Sequence, residues 1–240
     1  MHPFHIWFQR ERANLILKEI SDIPLKLYFD HDLGGGANVY YNIRTTNEDN
    51  ILRVQQAIQP RKFKLTFKLK GRESTLELNI YSVKQLYKFL EKLNLESIII
   101  NNLVSFDALA ILNVIERLKA HCKDITYLCH EYHALCPSYT LMDCNMQFCN
   151  GCTDVSICSK CFPKLCLSDN PITHKLLLSG AKNISEWRKK FSHFLQNVAT
   201  SLVTFDLSVA DMFCKYYPEL SKNITCTRIN KGVLYLGTDD

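Results

Sequence analysis

The feature that most constrains this chain is a series of short apolar strands separated by amphipathic helices. Ser97 to Leu103 and Ile125 to Cys129 are almost continuously apolar, and Asp107 to His121 between them has apolar residues at helical spacing. Strands without a polar face must be covered on both sides, which a parallel sheet clad by helices achieves. The alternation continues in both directions. Leu25 to Phe29 reads as a first strand after a helix near Arg10 to Ile20, and Ser82 to Leu93 reads as a helix with Ser82 as its N-cap. Later come a helix around Ser185 to Val198, a strand Ser201 to Phe205, a helix Ser208 to Tyr216 and a strand Ile224 to Ile229. One segment departs from this pattern. Lys62 to Lys70 alternates strictly, with Phe63, Leu65, Phe67 and Leu69 on one side, and pairs across a turn at Gly71-Arg72-Glu73 with Leu76, Leu78 and Ile80. The expected fold class is α/β: a Rossmann-like, mostly parallel sheet with helices on both faces, an antiparallel hairpin insertion and a cysteine-rich loop.

At 240 residues, 47% of them hydrophobic, the chain can bury a large core as one domain, and no Pro/Gly/Ser-rich linker divides it. The net charge of +5 is mild and partly gathered at Arg61 to Arg72, so it permits a phosphate-bearing or membrane-surface partner and does not call for nucleic acid. The lysine row of the hairpin reads more simply as a solvated face. The N-terminal residues lack an uncharged apolar core and a small-residue cleavage site, and no apolar run approaches ~20 residues. A cytoplasmic location is expected, with a peripheral place at the inner face of the membrane as a further expectation.

Ligands of open α/β sheets bind beyond the carboxyl ends of the strands. Four features fall on that edge here: the glycine loop of Gly34, Gly35 and Gly36, running on to Asn38, after the first strand, Asn101-Asn102, His130-Glu131, and Asp206. Three adjacent glycines let backbone N–H groups approach a phosphate or sugar at a helix start; a tight strand-to-helix connection explains the run equally well. His130 can take a proton or bond a hydroxyl, with Glu131 beside it to hold a tautomer or bind sugar hydroxyls; a structural histidine is the plain alternative.

Between His130 and Ser185 lie some fifty residues of weak periodicity, and residues 134–168 form a cysteine-rich loop. A loop of that length needs something to order it. Cys136, Cys149, Cys158 and Cys161 have two-plus-two spacing suited to a structural zinc site, with Cys158-Ser159-Lys160-Cys161 as a CxxC turn. Cys152 can stand in for Cys136, and buried thiols or a redox dithiol remain open readings. The other cysteines, Cys122, Cys129, Cys214 and Cys226, fit helix or strand patterns as small apolar residues. The segment His130-Glu131-Tyr132-His133 does not have the HExxH spacing of zinc proteases, which argues against a zinc hydrolase.

Taken together, Phe29-Asp30-His31-Asp32-Leu33-Gly34-Gly35-Gly36-Ala37-Asn38, Asn101-Asn102-Leu103, His130-Glu131-Tyr132-His133-Ala134-Leu135-Cys136-Pro137 with the trailing cysteines, and Val203 to Asp211 resemble the N-terminal half of a bacterial GT-B glycosyltransferase of the group 1, glycogen-synthase-like type that builds cell-surface polysaccharides. The resemblance implies transfer of a sugar from a nucleotide-sugar donor to a saccharide or lipid-linked acceptor, without a catalytic metal. It places Gly34, Gly35 and Gly36 along the cleft, His130 near the reacting sugar, and Asp206 with Ser208 where the family often has a serine-rich turn, the aspartate being a departure. It divides the chain into a helical extension (1–24) and the acceptor-side domain (25–240), and leads one to expect the donor-binding domain to be missing, supplied if at all by a separate polypeptide. A catalytically inactive acceptor-binding or scaffold domain is the competing expectation.

Overall fold

A computed structural model describes residues 3–31, 35–57, 62–72, 75–230 and 233–236. The strands β1 (Leu25–Phe29), β2 (Ile51–Ala57), β3 (Lys62–Lys68), β4 (Leu76–Ile80), β5 (Leu95–Ile100), β6 (Ile125–Cys129), β7 (Ser201–Thr204), β8 (Ile224–Asn230) and β9 (Val233–Leu236) form one sheet in the order β4-β3-β2-β1-β5-β6-β7-β8-β9. From β2 to β8 every neighbouring pair is parallel, whereas β3 and β4 at one edge and β9 at the other are antiparallel. The fold is therefore the α/β, Rossmann-like arrangement anticipated, with the hairpin at an edge. The order reverses direction at β1, between β2 and β5, which is where such sheets open a crevice.

The helices are α1 (Pro3–Ile20), α2 (Gly35–Thr45), α3 (Val83–Leu90), α4 (Ala108–Leu118), α5 (Val155–Cys161), α6 (Pro171–Leu177), α7 (Ile184–Asn197) and α8 (Leu207–Tyr216). Ser82 caps α3 by accepting from the Gln85 amide. Packed in a row, α3, α4 and α7 cover one face of the sheet, where Tyr127 meets Phe191 and Phe194 edge-on. The opposite face carries α2 and, beside it, a groove of about 470 Å³ floored by Ile99, Leu128 and Val203. Alternating burial along β7 agrees with this partial cover. A sheet wholly covered on both faces was too strong an expectation.

Three expectations about individual elements change. The strand β2 was not foreseen, because Ile51–Ala57 mixes Arg53, Gln55 and Gln56 with its apolar residues; it is the partner that joins the hairpin to the parallel sheet. The N-terminal helix is longer than the stretch from Arg10, and its Ile16 and Ile20 enter the main core. The loop after β6 contains α5, a 3-10 turn at Phe162–Lys164 and α6, each too short to show a sequence period. Among the described residues no helix is long and apolar enough to cross a membrane.

Trp187 of α7 is fully buried and clamps the chain after β6, its indole N–H donating to the carbonyl of His133 at 2.9 Å. Trp187→Ala should cost about 3–5 kcal/mol through the cavity it leaves, read as a lowered urea midpoint.

Candidate functional site

The strands β1, β5 and β6 end side by side, and each delivers a polar residue at its carboxyl end: Asp30, then Asn101 and Asn102, then His130 and Glu131. Asp30 is fully buried. One of its oxygens takes an ion pair from Arg53 of β2 and the other accepts from Nδ2 of Asn101 at 2.7 Å. The same Nδ2 donates to the carbonyl of Ala37, in the first turn of α2, at 2.9 Å. Oδ1 of Asn101 then lies 2.9 Å from Nε2 of His130. Beside this chain, Nδ2 of Asn102 donates to Glu131 at 2.8 Å, while its Oδ1 accepts from the Val104 amide at 2.7 Å.

Desolvation and local bonding set the charges. Burial pushes the Glu131 carboxyl up to about 8, with the bond from Asn102 opposing it. Burial, and next the nearby His31, hold the His130 imidazole down at about 4. Both groups are therefore neutral at pH 7, one carrying a carboxylic O–H and the other a free ring lone pair. Asp30 is also raised by burial, but Arg53 pulls it back, and both of its oxygens accept hydrogen bonds, as an ionised carboxylate requires.

Over this edge sits an aromatic cover that the sequence did not announce. Phe205, directly after β7, stacks on His130 at 4.5 Å with 18° between the planes, and Tyr40 of α2 meets both rings. Arg53 is likewise new; it reaches Asp30, the carbonyl of His31 and Oδ1 of Asn38, and lies over the Tyr41 ring. Arg53 carried no clear sequence signal, because Gln55 and Gln56 of the same strand are polar as well.

The glycine run is partly described: Gly34 lies outside the described residues. Gly35 opens α2 with φ +74°, a conformation glycine favours, and no described atom lies within 4 Å of where a Cβ would stand on Gly35 or Gly36. Among the described residues, none closes over the helix start at these two glycines. Asn38 joins the edge through Arg53. Asp206 instead caps α8, accepting from the Ser208 amide at 2.8 Å, so both residues take part in ending a loop while their neighbour Phe205 reaches the site.

His133 is not part of the exposed edge. It is buried against Trp187 and Phe191, and its Nδ1 has no partner among the described residues. Burial holds it neutral, down at about 3.

The cysteines form a separate centre. Cys136, Cys144, Cys149, Cys152, Cys158 and Cys161 all line one cavity of about 290 Å³, together with Arg188 and Tyr216. All eleven cysteines are free thiols. Cys158 and Cys161 lie on α5, one turn apart, rather than on the CxxC turn expected. The Cys158 thiol donates to the Cys152 carbonyl at 3.2 Å and faces Arg188 at 3.3 Å, whereas Cys161 accepts from the Cys144 amide at 3.2 Å. Gly151, at φ +62°, lies so close to Met212 of α8 that a Cβ would fall 2.2 Å from its sulfur. Burial pushes Cys136 up to about 12 and Cys161 to about 11. Among the described residues no three His, Cys, Asp or Glu side chains are close enough together to hold a metal ion.

Comparison with known proteins returns no relative: no family model, no curated protein and no solved structure matches the chain.

Because the folded state keeps Glu131 protonated up to about 8 while an unfolded glutamate ionises near 4.5, the native state binds the extra proton between those values. Stability from this group is fully present below pH 4.5 and lost as pH rises toward 8. Glu131→Gln should therefore gain stability relative to the parent as pH goes from 4.5 to 8, seen as a widening difference in urea midpoints. A difference that stays constant contradicts the raised carboxyl.

Proposed function

We propose that this chain is the acceptor-side, N-terminal domain of a GT-B glycosyltransferase of the group 1 type. In this reading its carboxyl edge holds a saccharide or lipid-linked acceptor while a sugar is transferred from a nucleotide-sugar donor. The observation that carries the reading is the neutral pair His130 and Glu131, at the strand ends beside the topological switch and held by Asn101 and Asn102. Uncharged donors and acceptors on a rigid frame, with an aromatic wall, suit hydroxyl-rich ligands that carry no charge of their own.

In transfer, His130 would accept a hydrogen bond from a sugar hydroxyl, and Glu131 would donate one. The uncovered start of α2 at Gly35 and Gly36 would receive the donor's phosphates, where helix N–H groups and the dipole favour negative charge. The two are chemically distinct subsites on one edge. Transfer requires a second wall to orient the nucleotide sugar against the acceptor, which a donor-binding polypeptide or domain would supply. A cytoplasmic place, peripheral to the inner membrane face, follows from the lipid-linked class of acceptor.

We also propose that zinc orders the cysteine loop, with Cys136, Cys149, Cys158 and Cys161 as ligands and Cys152 next to them. The six cysteines lining one cavity suit the ion's chemistry, and a cation would reverse the protonation that burial now imposes on the thiols. Binding has to draw the thiols closer than they stand. The ion's part is structural: it cross-links the segment behind His133.

Saturation-transfer NMR with neutral oligosaccharides and nucleotide sugars tests the sugar reading. Binding is expected, weakened about tenfold in His130→Ala, the size of one hydrogen bond of ~1.4 kcal/mol; no binding, or identical binding by the variant, refutes it. For the metal, elemental analysis should give one zinc per chain, lost on replacing Cys158 and Cys161 by serine. A zinc-free chain whose loop amides are equally protected from exchange refutes the metal proposal alone.

A further inference from the structure

The hydrogen bonds at the carboxyl edge have a direction, and that direction fixes the chemistry of His130. Nδ2 of Asn101 has two oxygen neighbours, Asp30 Oδ1 at 2.7 Å and the Ala37 carbonyl at 2.9 Å. Turning the amide over would set its oxygen against both of them, two acceptor-to-acceptor contacts in a fully buried place. Oδ1 must therefore face His130, and an oxygen at 2.9 Å can only accept from Nε2. Arg53 completes the chain by holding Asp30 in the form that accepts at both oxygens. The backbone supports the same register: the amides of Asn101 and Asn102 both donate to the Phe29 carbonyl, at 2.9 and 3.2 Å.

We infer that Asp30, acting through Asn101, locks His130 as the Nε2–H tautomer and leaves Nδ1 as the acceptor, so that Asp30 and Asn101 are positioning residues that make His130 select a ligand group able to donate a hydrogen bond. The stack on Phe205 holds the plane of the ring, with Nε2 toward Asn101. The role of the lock in ligand choice rests on the sugar-binding reading of this edge, whereas the tautomer itself does not. A hydroxyl or amide N–H satisfies Nδ1. A ligand offering only acceptors, such as a carboxylate or phosphate, does not, which separates this position from the start of α2.

The test is a ¹⁵N-imidazole NMR spectrum of the whole chain at pH 7 without any ligand. A pyrrole-type shift on Nε2 and a pyridine-type shift on Nδ1 of His130 are expected, and loss of that separation toward a tautomer average in Asn101→Ala. The reverse tautomer or an averaged pair in the parent chain overturns the inference. So does an unchanged tautomer in Asn101→Ala. Should Asn101→Ala not fold, Asn101→Ser in its place, with the parent spectrum, keeps the decision. Because no saccharide is present, failure of sugar binding leaves the tautomer result standing, and failure of the tautomer leaves sugar binding to be judged by its own experiment.

Discussion

One buried carboxylate ties the carboxyl edge together. Asp30 ends β1, Arg53 reaches it from β2, Asn101 from the end of β5, and through Asn101 the tie extends to His130 at the end of β6 and to the first turn of α2. Four parallel strands and a helix start thus share a single charge. Removing one partner of such a buried pair leaves the other uncompensated, at a cost on the order of 3–5 kcal/mol. The position at the topological switch is what makes this arrangement consequential, since the sheet opens there and the same bonds that hold the strand ends also aim the site. The stability of the edge and the orientation of His130 are therefore one problem with one solution.

The edge and the cysteine centre are linked by the chain between them. From His133 to Leu135 the backbone is gripped by side chains distant in sequence: Trp187 on the His133 carbonyl, Tyr217 on that of Ala134 and Arg188 on that of Leu135. Arg188 also reaches the Cys152 carbonyl and the Cys158 sulfur. The same α7 residue therefore touches both the segment leaving the strand and the thiol-lined cavity. Order in the cysteine loop therefore supports the posture of the segment that follows His130 and Glu131.

Much of this was legible in the sequence. Continuous apolar strands such as Ile125–Cys129 and helices with clear faces such as Ile184–Asn197 were readable, because burial on both sides and the 3.6-residue period leave strong traces. Asn101, Asn102, His130 and Glu131 were readable as a group for the same reason, since they directly follow those strands. What the sequence hid were interactions between distant positions. Arg53 sits in a strand whose polar residues masked it, and Tyr40 and Phe205 look like ordinary core aromatics until the fold brings them to His130. The helices α5 and α6, seven residues each, are fixed by their caps Asp154 and Asn170 rather than by periodicity. Asp206 shows the opposite limit: a polar residue after a strand can simply be an N-cap.

The central claim is that this edge presents an uncharged pair, held neutral by burial on a frame anchored at Asp30. Its most direct test is a site-resolved NMR titration of the His130 imidazole and the Glu131 carboxyl in the folded chain. The account predicts that His130 stays neutral until the pH falls to about 4 and that Glu131 keeps its proton until about 8. Midpoints near the ordinary 6.5 and 4.5 would contradict it.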